Sequence, residues 1–311
     1  MTLQTDILGD PNYIPLLDHG FIGLIDAMPA EKGAGDAAIV QAARTSYGKG
    51  TKAVRNDEGL IRYLLRHDHT TPFEMVEFKL HIKMPIFVVR QHIRHRTANV
   101  NEYSGRYSEM SNEFYIPDVA NIKPQAKDNK QGRSGELSDK NAQGVQWVMR
   151  QASENAYSAY QTLLGREDTD YYDLFNPQDG LLDDEFREMD GAGGIAKELA
   201  RAVLPVSNYT EMYWKNDLSN IFKYLRLRAD GHAQYEIRVL AEAMGKLIQP
   251  YAPMAYKAFE DYIFNSVKFS GPEMLFIKTL TEKMDNNEIE QMLLEQGLSL
   301  REINEFIKKI R

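Results

Sequence analysis

From Arg90 to Tyr107 the chain reads RQHIRHRTANVNEYSGRY, which puts Arg90, Arg94, Arg96 and Arg106 into one short stretch of a protein whose net charge is −8. Guanidinium forks match carboxylate and phosphate oxygens, so an arginine cluster on an acidic background points to a small anionic ligand, with phosphate the first candidate. A solvated helix carrying ordinary charges accounts for the clustering equally well. Ser104 and Gly105 fall in the same stretch. Read alone, Ser104 is also a nucleophile by type, but no base partner with triad logic is evident. A second cation stands out at Arg228, which continues the helical stripe Leu218, Ile221, Phe222 and Leu225. An arginine on an apolar face needs an anion or a carbonyl there, because burying it unpaired is costly. An internal salt bridge and a bound ligand both meet that need. Neither His95 nor His232 belongs to an HxH or HxxxH pair, so no metal site is expected.

The elements that must position these groups follow from periodicity. Asp36 to Ala43 predicts a short helix with Ile39, Ala42 and Ala43 on one side. Asn56 is the expected N-cap of a helix bearing Leu60, Ile61, Leu64 and Leu65. From Val76 to Met84 apolar and polar residues alternate, which predicts a half-buried strand. Pro85 suits the first position of the helix that follows, where Ile86, Val89 and Ile93 make an apolar stripe and Arg90, Gln91 and Arg94 point elsewhere. Residues 121–144 are polar with charges of both signs and predict an inserted mobile loop. Helical periodicity returns over Val145–Leu164, Ile195–Val203, Asp217–Asp230 and a long core helix marked by Ile237, Leu240, Ala241, Met244, Leu247 and Ile248. The DGAGG run at 190–194 lacks the P-loop lysine and glycine spacing and reads as a connection. Beyond about residue 270, three amphipathic segments (273–283, 287–295 and 299–310) predict a small helical appendage or partner surface.

Composition narrows the function classes. The chain has 311 residues, enough for one large domain with an appendage, and its 43% apolar and 26% charged content is ordinary for a globular protein. No apolar run has the length of a membrane helix, and Met1 to Asp10 has neither the basic start nor the apolar core of a signal peptide, so a cytoplasmic protein is expected. The acidic balance argues against general nucleic-acid binding. With no cysteine, disulfides, thiolate metal sites and cysteine nucleophiles are excluded.

Arg94, His95 and Arg96, then seven residues, then Ser104, Gly105 and Arg106, resemble the RHR-x7-S-x-R signature of the flavin-dependent thymidylate synthases. HTTPFE at His69–Glu74, ARAVLP at Ala200–Pro205 and LRLRADGHAQYEIR at Leu225–Arg238 resemble further segments of that family, in its order, so that the resemblance covers roughly residues 36 to 265. The missing cysteine agrees, since the unrelated class of thymidylate synthase attacks the uracil with a thiolate. The resemblance implies an α+β fold with a mixed or antiparallel sheet flanked by helices. Its catalytic domain would span 1–270, including the 121–144 insert, and the helical appendage 271–311. It implies methylation of dUMP to dTMP, with FAD as cofactor and NADPH and methylenetetrahydrofolate as co-substrates, in a homotetramer with shared active sites. Arg228 would be the catalytic cation near the uracil. The dUMP ligands would be Gln91, Arg94, Glu102, Tyr103, Ser104, Gly105, Arg106, Arg201 and Arg228. For FAD the resemblance implies Ser46, Thr71, Glu74, Arg94, His95, Arg96, Glu102 and His232. It adds Asp217, Ser219 and Lys223, where this sequence departs from the family's usual residues, as it does at Asn99. A flavin-dependent hydroxymethylase of dUMP, or an inactive nucleotide-binding protein on the same fold, would carry nearly the same motifs.

Overall fold

The computed structural model describes residues 9–45, 56–127, 132–166 and 194–311. The chain divides into two compact units, Met1–Phe264 and Asn265–Arg311. The first is built on a five-stranded sheet, wholly antiparallel, in the order β1-β2-β3-β5-β4. Its strands are β1 (Tyr13–Leu16), β2 (Gly20–Met28), β3 (Glu77–Pro85), β4 (Asn99–Glu102) and β5 (Tyr209–Asp217). The helices of this unit are α1 (Ala34–Thr45), α2 (Asp57–Arg66), α3 (Ile86–His92), α4 (Asp139–Leu163), the single turn α5 (Lys197–Ala200), α6 (Leu218–Arg228), α7 (Tyr235–Ile248) and α8 (Pro253–Phe259). Sheet and helices together make the expected α+β architecture.

The predicted strand lies at the centre of the sheet, paired along its whole length with β5. Phe78, Leu80, Ile82 and Met84 are fully buried on the face covered by helices, where they meet a core that includes Trp214, Phe222, Ile237 and Leu240. Complete burial of each such side chain stabilises the fold by about 1.5–3 kcal/mol. The half-buried expectation holds only for the first turns of the pleat. On the opposite face Glu77 and Lys79 are partly exposed, but His81 and Lys83 are buried. His81 Nε2 donates across to Glu211 at 2.6 Å and the ring stacks on Tyr213, and Lys83 pairs with Glu113 at 2.7 Å. Polar alternation therefore marks paired polar groups beneath aromatic rings rather than a wet surface.

Other local departures have equally simple causes. Pro85 is the N-cap of α3 with φ −61° and ψ 144°, still in the strand ladder, one position before the predicted one. Helix α3 stops at His92, so Ile93 falls outside the stripe and is 41% exposed, while Val88, Val89 and His92 are buried. Of the insert, residues 128–131 lie outside those described, and the described parts carry more structure than a loop. Ser138 caps α4, so Asp139 to Gly144 are helical, and Ala126 is buried. Of the Ile195–Val203 segment only Lys197–Ala200 is α-helical, followed by a 3-10 turn, and all of DGAGG but Gly194 lies outside the described residues. Asn56 caps α2 through its side chain, as expected, and Asp217, which the periodicity placed inside the helix, is the N-cap of α6.

The second unit contains α9 (Gly271–Thr281), α10 (Asn286–Glu295) and α11 (Leu300–Ile310). Ser270 with Glu273, and Ser299 with Glu302, form capping boxes at the starts of α9 and α11.

A candidate anion and nucleotide site around Arg228

Helix α3 leaves the central strand and ends at His92, and the chain then turns through Arg94, His95 and Arg96 into β4 at the sheet edge. Helix α6 starts from the other side of the same strand pair and brings its last residue, Arg228, against this turn. Arg228 Nε donates to His95 Nε2 at 3.1 Å, and Arg228 Nη2 donates to the Gln91 carbonyl at 3.3 Å. The partner that an arginine on an apolar stripe requires is therefore a neutral imidazole and a carbonyl, not a carboxylate. Burial, then the neighbouring guanidinium, push the His95 pKa down to about 4, so Nε2 is an acceptor at neutral pH. With two N–H groups used, the rest of the Arg228 fork is available to a ligand.

Arg90, Arg94 and Arg96 are exposed and make no hydrogen bond or ion pair with the described residues. Cations without carboxylates in an acidic chain are the donor set an anion needs. Downstream, Gly105 is buried, and a Cβ there would lie 2.8 Å from Met110 Sδ and 3.1 Å from Arg201 Cδ. A side chain there would have to displace Met110 and Arg201 from the serine turn. Ser104 accepts from the Arg106 backbone N–H at 3.4 Å, Tyr103 donates its hydroxyl to the Glu109 carbonyl at 2.5 Å, and Glu102 accepts from Thr210 at 2.8 Å. Arg106 is tied to Glu198 at 3.0 Å and Arg201 to the Glu198 carbonyl at 3.3 Å, so a ligand must compete for both.

The residues implied for the flavin are more scattered. Thr71 and Glu74 are exposed on the turn before β3. Asp217 is occupied in capping, accepting from the Asn220 backbone and side chain at 2.9 and 2.6 Å, and Lys223 donates to Asn220 at 3.2 Å. Ser219 is only 4% exposed, with its hydroxyl unpartnered among the described residues. His232 is exposed and bound to Asp230 at 2.9 Å. Ser46 lies outside the described residues. A cavity of about 610 Å³ opens elsewhere, lined by residues that include His19, Tyr115, Arg150 and Tyr235.

Behind the site stand groups that the sequence reading passed over. His92 is fully buried, with Nδ1 3.0 Å from the Tyr224 hydroxyl, and burial, His95 and Arg228 lower its pKa to about 3. The Tyr224 ring meets His95 edge-on at 4.6 Å. Gln91, Gln234 and Glu236 are linked side chain to side chain. The last two sit in the AQYEIR run already singled out for its motif, but no spacing rule marks a buried glutamate. Among the described residues no group of three His, Asp or Glu side chains comes together to hold a metal, and no helix is long and apolar enough to cross a membrane.

Residues 24–254 match the family described as thymidylate synthase complementing protein. A flavin-dependent thymidylate synthase from Ruegeria pomeroyi is 48% identical over 292 residues, covering 94% of this chain and 86% of that protein. One from Rickettsia prowazekii is 45% identical over 300 residues, covering 96% and 93%. Among solved structures, a UMP/dUMP methylase from Streptomyces cacaoi bound with 5-Br dUMP superposes with a TM-score of 0.63 at 28% identity, covering 81% of this chain and 99% of that one.

Proposed function

The chain belongs to the flavin-dependent thymidylate synthase family, and from that premise we propose that it methylates dUMP to dTMP at the site around Arg228, using FAD, NADPH and methylenetetrahydrofolate. The observation that carries the reading is the set of unpaired guanidinium groups at Arg94 and Arg96 beside an Arg228 held by neutral groups. The donor chemistry fits both ligands: Arg94, Arg106 and Arg201, with the Ser104–Gly105 turn, suit a phosphomonoester, and Arg94 with Arg96 suits the FAD pyrophosphate. His95, Thr71, Glu74, Glu102 and His232 would complete the flavin site, with Asp217, Ser219 and Lys223 behind it.

When bound and reduced by NADPH, FAD supplies the hydride that completes the methyl group. The chain's own contribution is binding and electrostatics. The Arg228 guanidinium stabilises negative charge developing on the uracil ring, which makes C5 nucleophilic without a covalent thiolate. His95 holds that guanidinium without neutralising it, since an imidazole acceptor leaves the positive charge intact for the ligand. Gln91, Tyr103 and Ser104 orient the sugar and phosphate. The openness of this site within one chain, and the exposure of Trp147 and Val148 on α4, support a homotetramer in which neighbouring copies complete it. A cytoplasmic location suits this chemistry.

The test is a visible absorption spectrum of the purified protein, then anaerobic NADPH with and without dUMP, then the mass of the nucleotide product. A flavin band that bleaches differently with dUMP, and a product heavier by one methylene, are expected. A hydroxymethyl product would place the chain with enzymes that trap the methylene with water. No flavin band after reconstitution would leave a nucleotide-binding protein without this chemistry.

A further inference from the structure

Glu236, at the second position of α7, is 1% exposed. A buried carboxylate persists only when its oxygens are fully engaged. Here Oε1 accepts from Arg133 Nη2 at 2.8 Å and from the Tyr115 hydroxyl at 3.0 Å, while Oε2 accepts from Gln234 Nε2 at 2.9 Å. Burial opposes ionisation, but the residue's own backbone N–H and the hydrogen bonds from Arg133 and Gln234 outweigh it and hold the pKa below the usual glutamate value. Glu236 is therefore an acceptor only.

That fact fixes the polarity of everything attached to it. Gln234 must turn its NH2 toward Glu236, which leaves its carbonyl oxygen pointing away. The group that reaches this oxygen must donate, and it is Gln91 Nε2 at 2.6 Å. With its NH2 turned to Gln234, Gln91 presents its own side-chain oxygen, which has no partner among the described residues. An amide free to flip would offer either a donor or an acceptor, but this one is set two links away by a charge. The charge is in turn balanced by Arg133, which belongs to the polar insert.

We propose that Arg133, Glu236 and Gln234 form a polarity relay that locks the Gln91 amide with its oxygen facing the nucleotide site, so that the site selects its nucleotide by one hydrogen-bond donor, a hydroxyl or an imide N–H. The proposal rests on the reading that Gln91 borders the nucleotide. Gln234, Glu236 and Arg133 are positioning residues: none needs to touch the ligand. The insert thereby acquires a role, as the source of the cation that lets the relay be buried.

The test is isothermal titration of the FAD-loaded protein with dUMP, its 3′-deoxy analogue and its N3-methyl analogue. No dUMP binding by the unaltered protein would overturn the nucleotide reading itself, and the relay with it. Given binding, one analogue is expected to bind about fivefold to tenfold more weakly than dUMP, as the loss of a single hydrogen bond predicts. The 3′-deoxy arm assigns a hydroxyl and the N3-methyl arm an imide. Gln234 is itself exposed, but Gln234→Leu takes one donor from the buried Glu236, so its thermal stability is measured beside its affinity. It should weaken dUMP by the same factor and bind dUMP and that analogue alike. Gln234→Leu with unchanged dUMP affinity, or with full discrimination, would overturn the relay. Glu236→Gln risks the fold, so it is paired with Arg133→Met, which removes both charges together. The double variant should regain thermal stability relative to Glu236→Gln alone but not discrimination, and full recovery of both would show a packing role only.

Discussion

Two groups of arginines in the larger unit, Arg62 with Arg66 on Tyr262 and Arg90 with Arg94 and Arg96, are treated in opposite ways. Arg62, on α2, has its side chain 16% exposed and donates to Asp261 at 2.6 Å and to the Tyr262 hydroxyl at 2.7 Å, with its guanidinium over the same ring. Arg90, Arg94 and Arg96 have none of these things. Both groups are dense in charge, so density does not separate them, but pairing does. A guanidinium already bonded to a carboxylate is part of the scaffold. One left to water in a chain of net charge −8 retains its capacity for an anion that is not part of the protein. Arg228 belongs to neither class, since its partners are an imidazole and a carbonyl, which orient it without cancelling its charge.

The largest test of this contrast is at Arg228. Arg228→Ala should lower kcat for dTMP formation by on the order of 10²–10³ or more, as loss of a charge-stabilising donor does, while the flavin absorption of the purified protein is retained. Near-normal product formation would remove Arg228 from the reaction. The direct comparison is Arg94→Ala against Arg62→Ala. The first should weaken dUMP by on the order of 10- to 100-fold at low salt, with a smaller defect at high salt and no change in Tm. The second should cost about 1–3 kcal/mol of stability and leave nucleotide affinity unchanged. A nucleotide defect in Arg62→Ala, or a stability loss in Arg94→Ala, would break the distinction between the two groups.

A subtler test uses the neutral partners. His92 and His95 have folded pKa values near 3 and 4, below the unfolded value, because burial and Arg228 disfavour their protonation. Between those values and about 6.5 the unfolded chain binds more protons than the folded one. The stability these groups contribute is thus complete above about 6.5 and is lost as pH falls toward 3. Urea unfolding across that range should show a steep loss in the native protein and a shallower one in His92→Asn. Parallel curves for the two proteins would mean that other groups control the acid limb.

Much of this was legible in the sequence, for reasons that particular residues make plain. Asn56 announces a helix start because capping is local chemistry. The alternation at Phe78, Leu80 and Ile82 identifies the central strand because one face must be apolar. The Arg228 stripe called for a carbonyl or anion partner and the Gln91 carbonyl is one. What stayed hidden depends on contacts far apart in the chain. Nothing near His81 predicts Glu211, nothing near Glu236 predicts Arg133, and the exposure of Trp147 and Val148 reverses the usual meaning of apolar periodicity on α4. Composition misjudged the insert for the same reason: Arg133 reads as loop until its buried partner is known.

The smallest effect is expected from the C-terminal unit. Its arginines fall on the scaffold side of the contrast: Arg301 pairs with Glu305 at 3.4 Å, and Arg311 donates to the Thr281 and Met284 carbonyls at 2.7 Å and to Asn286 at 2.8 Å. Arg311 thereby ties the end of α11 back to the turn between α9 and α10, and Ile289, Ile303 and Ile310 are buried. A unit whose two arginines are both engaged within it contributes no free guanidinium to an anion. Ending the chain after residue 264 should therefore leave dUMP affinity within about twofold and the flavin spectrum unaltered, an effect below the ~0.5 kcal/mol typical of surface changes. A tenfold loss of dUMP affinity in soluble truncated protein would show that pairing within a unit does not mark it as scaffold, and the contrast between the two arginine groups would lose its predictive value.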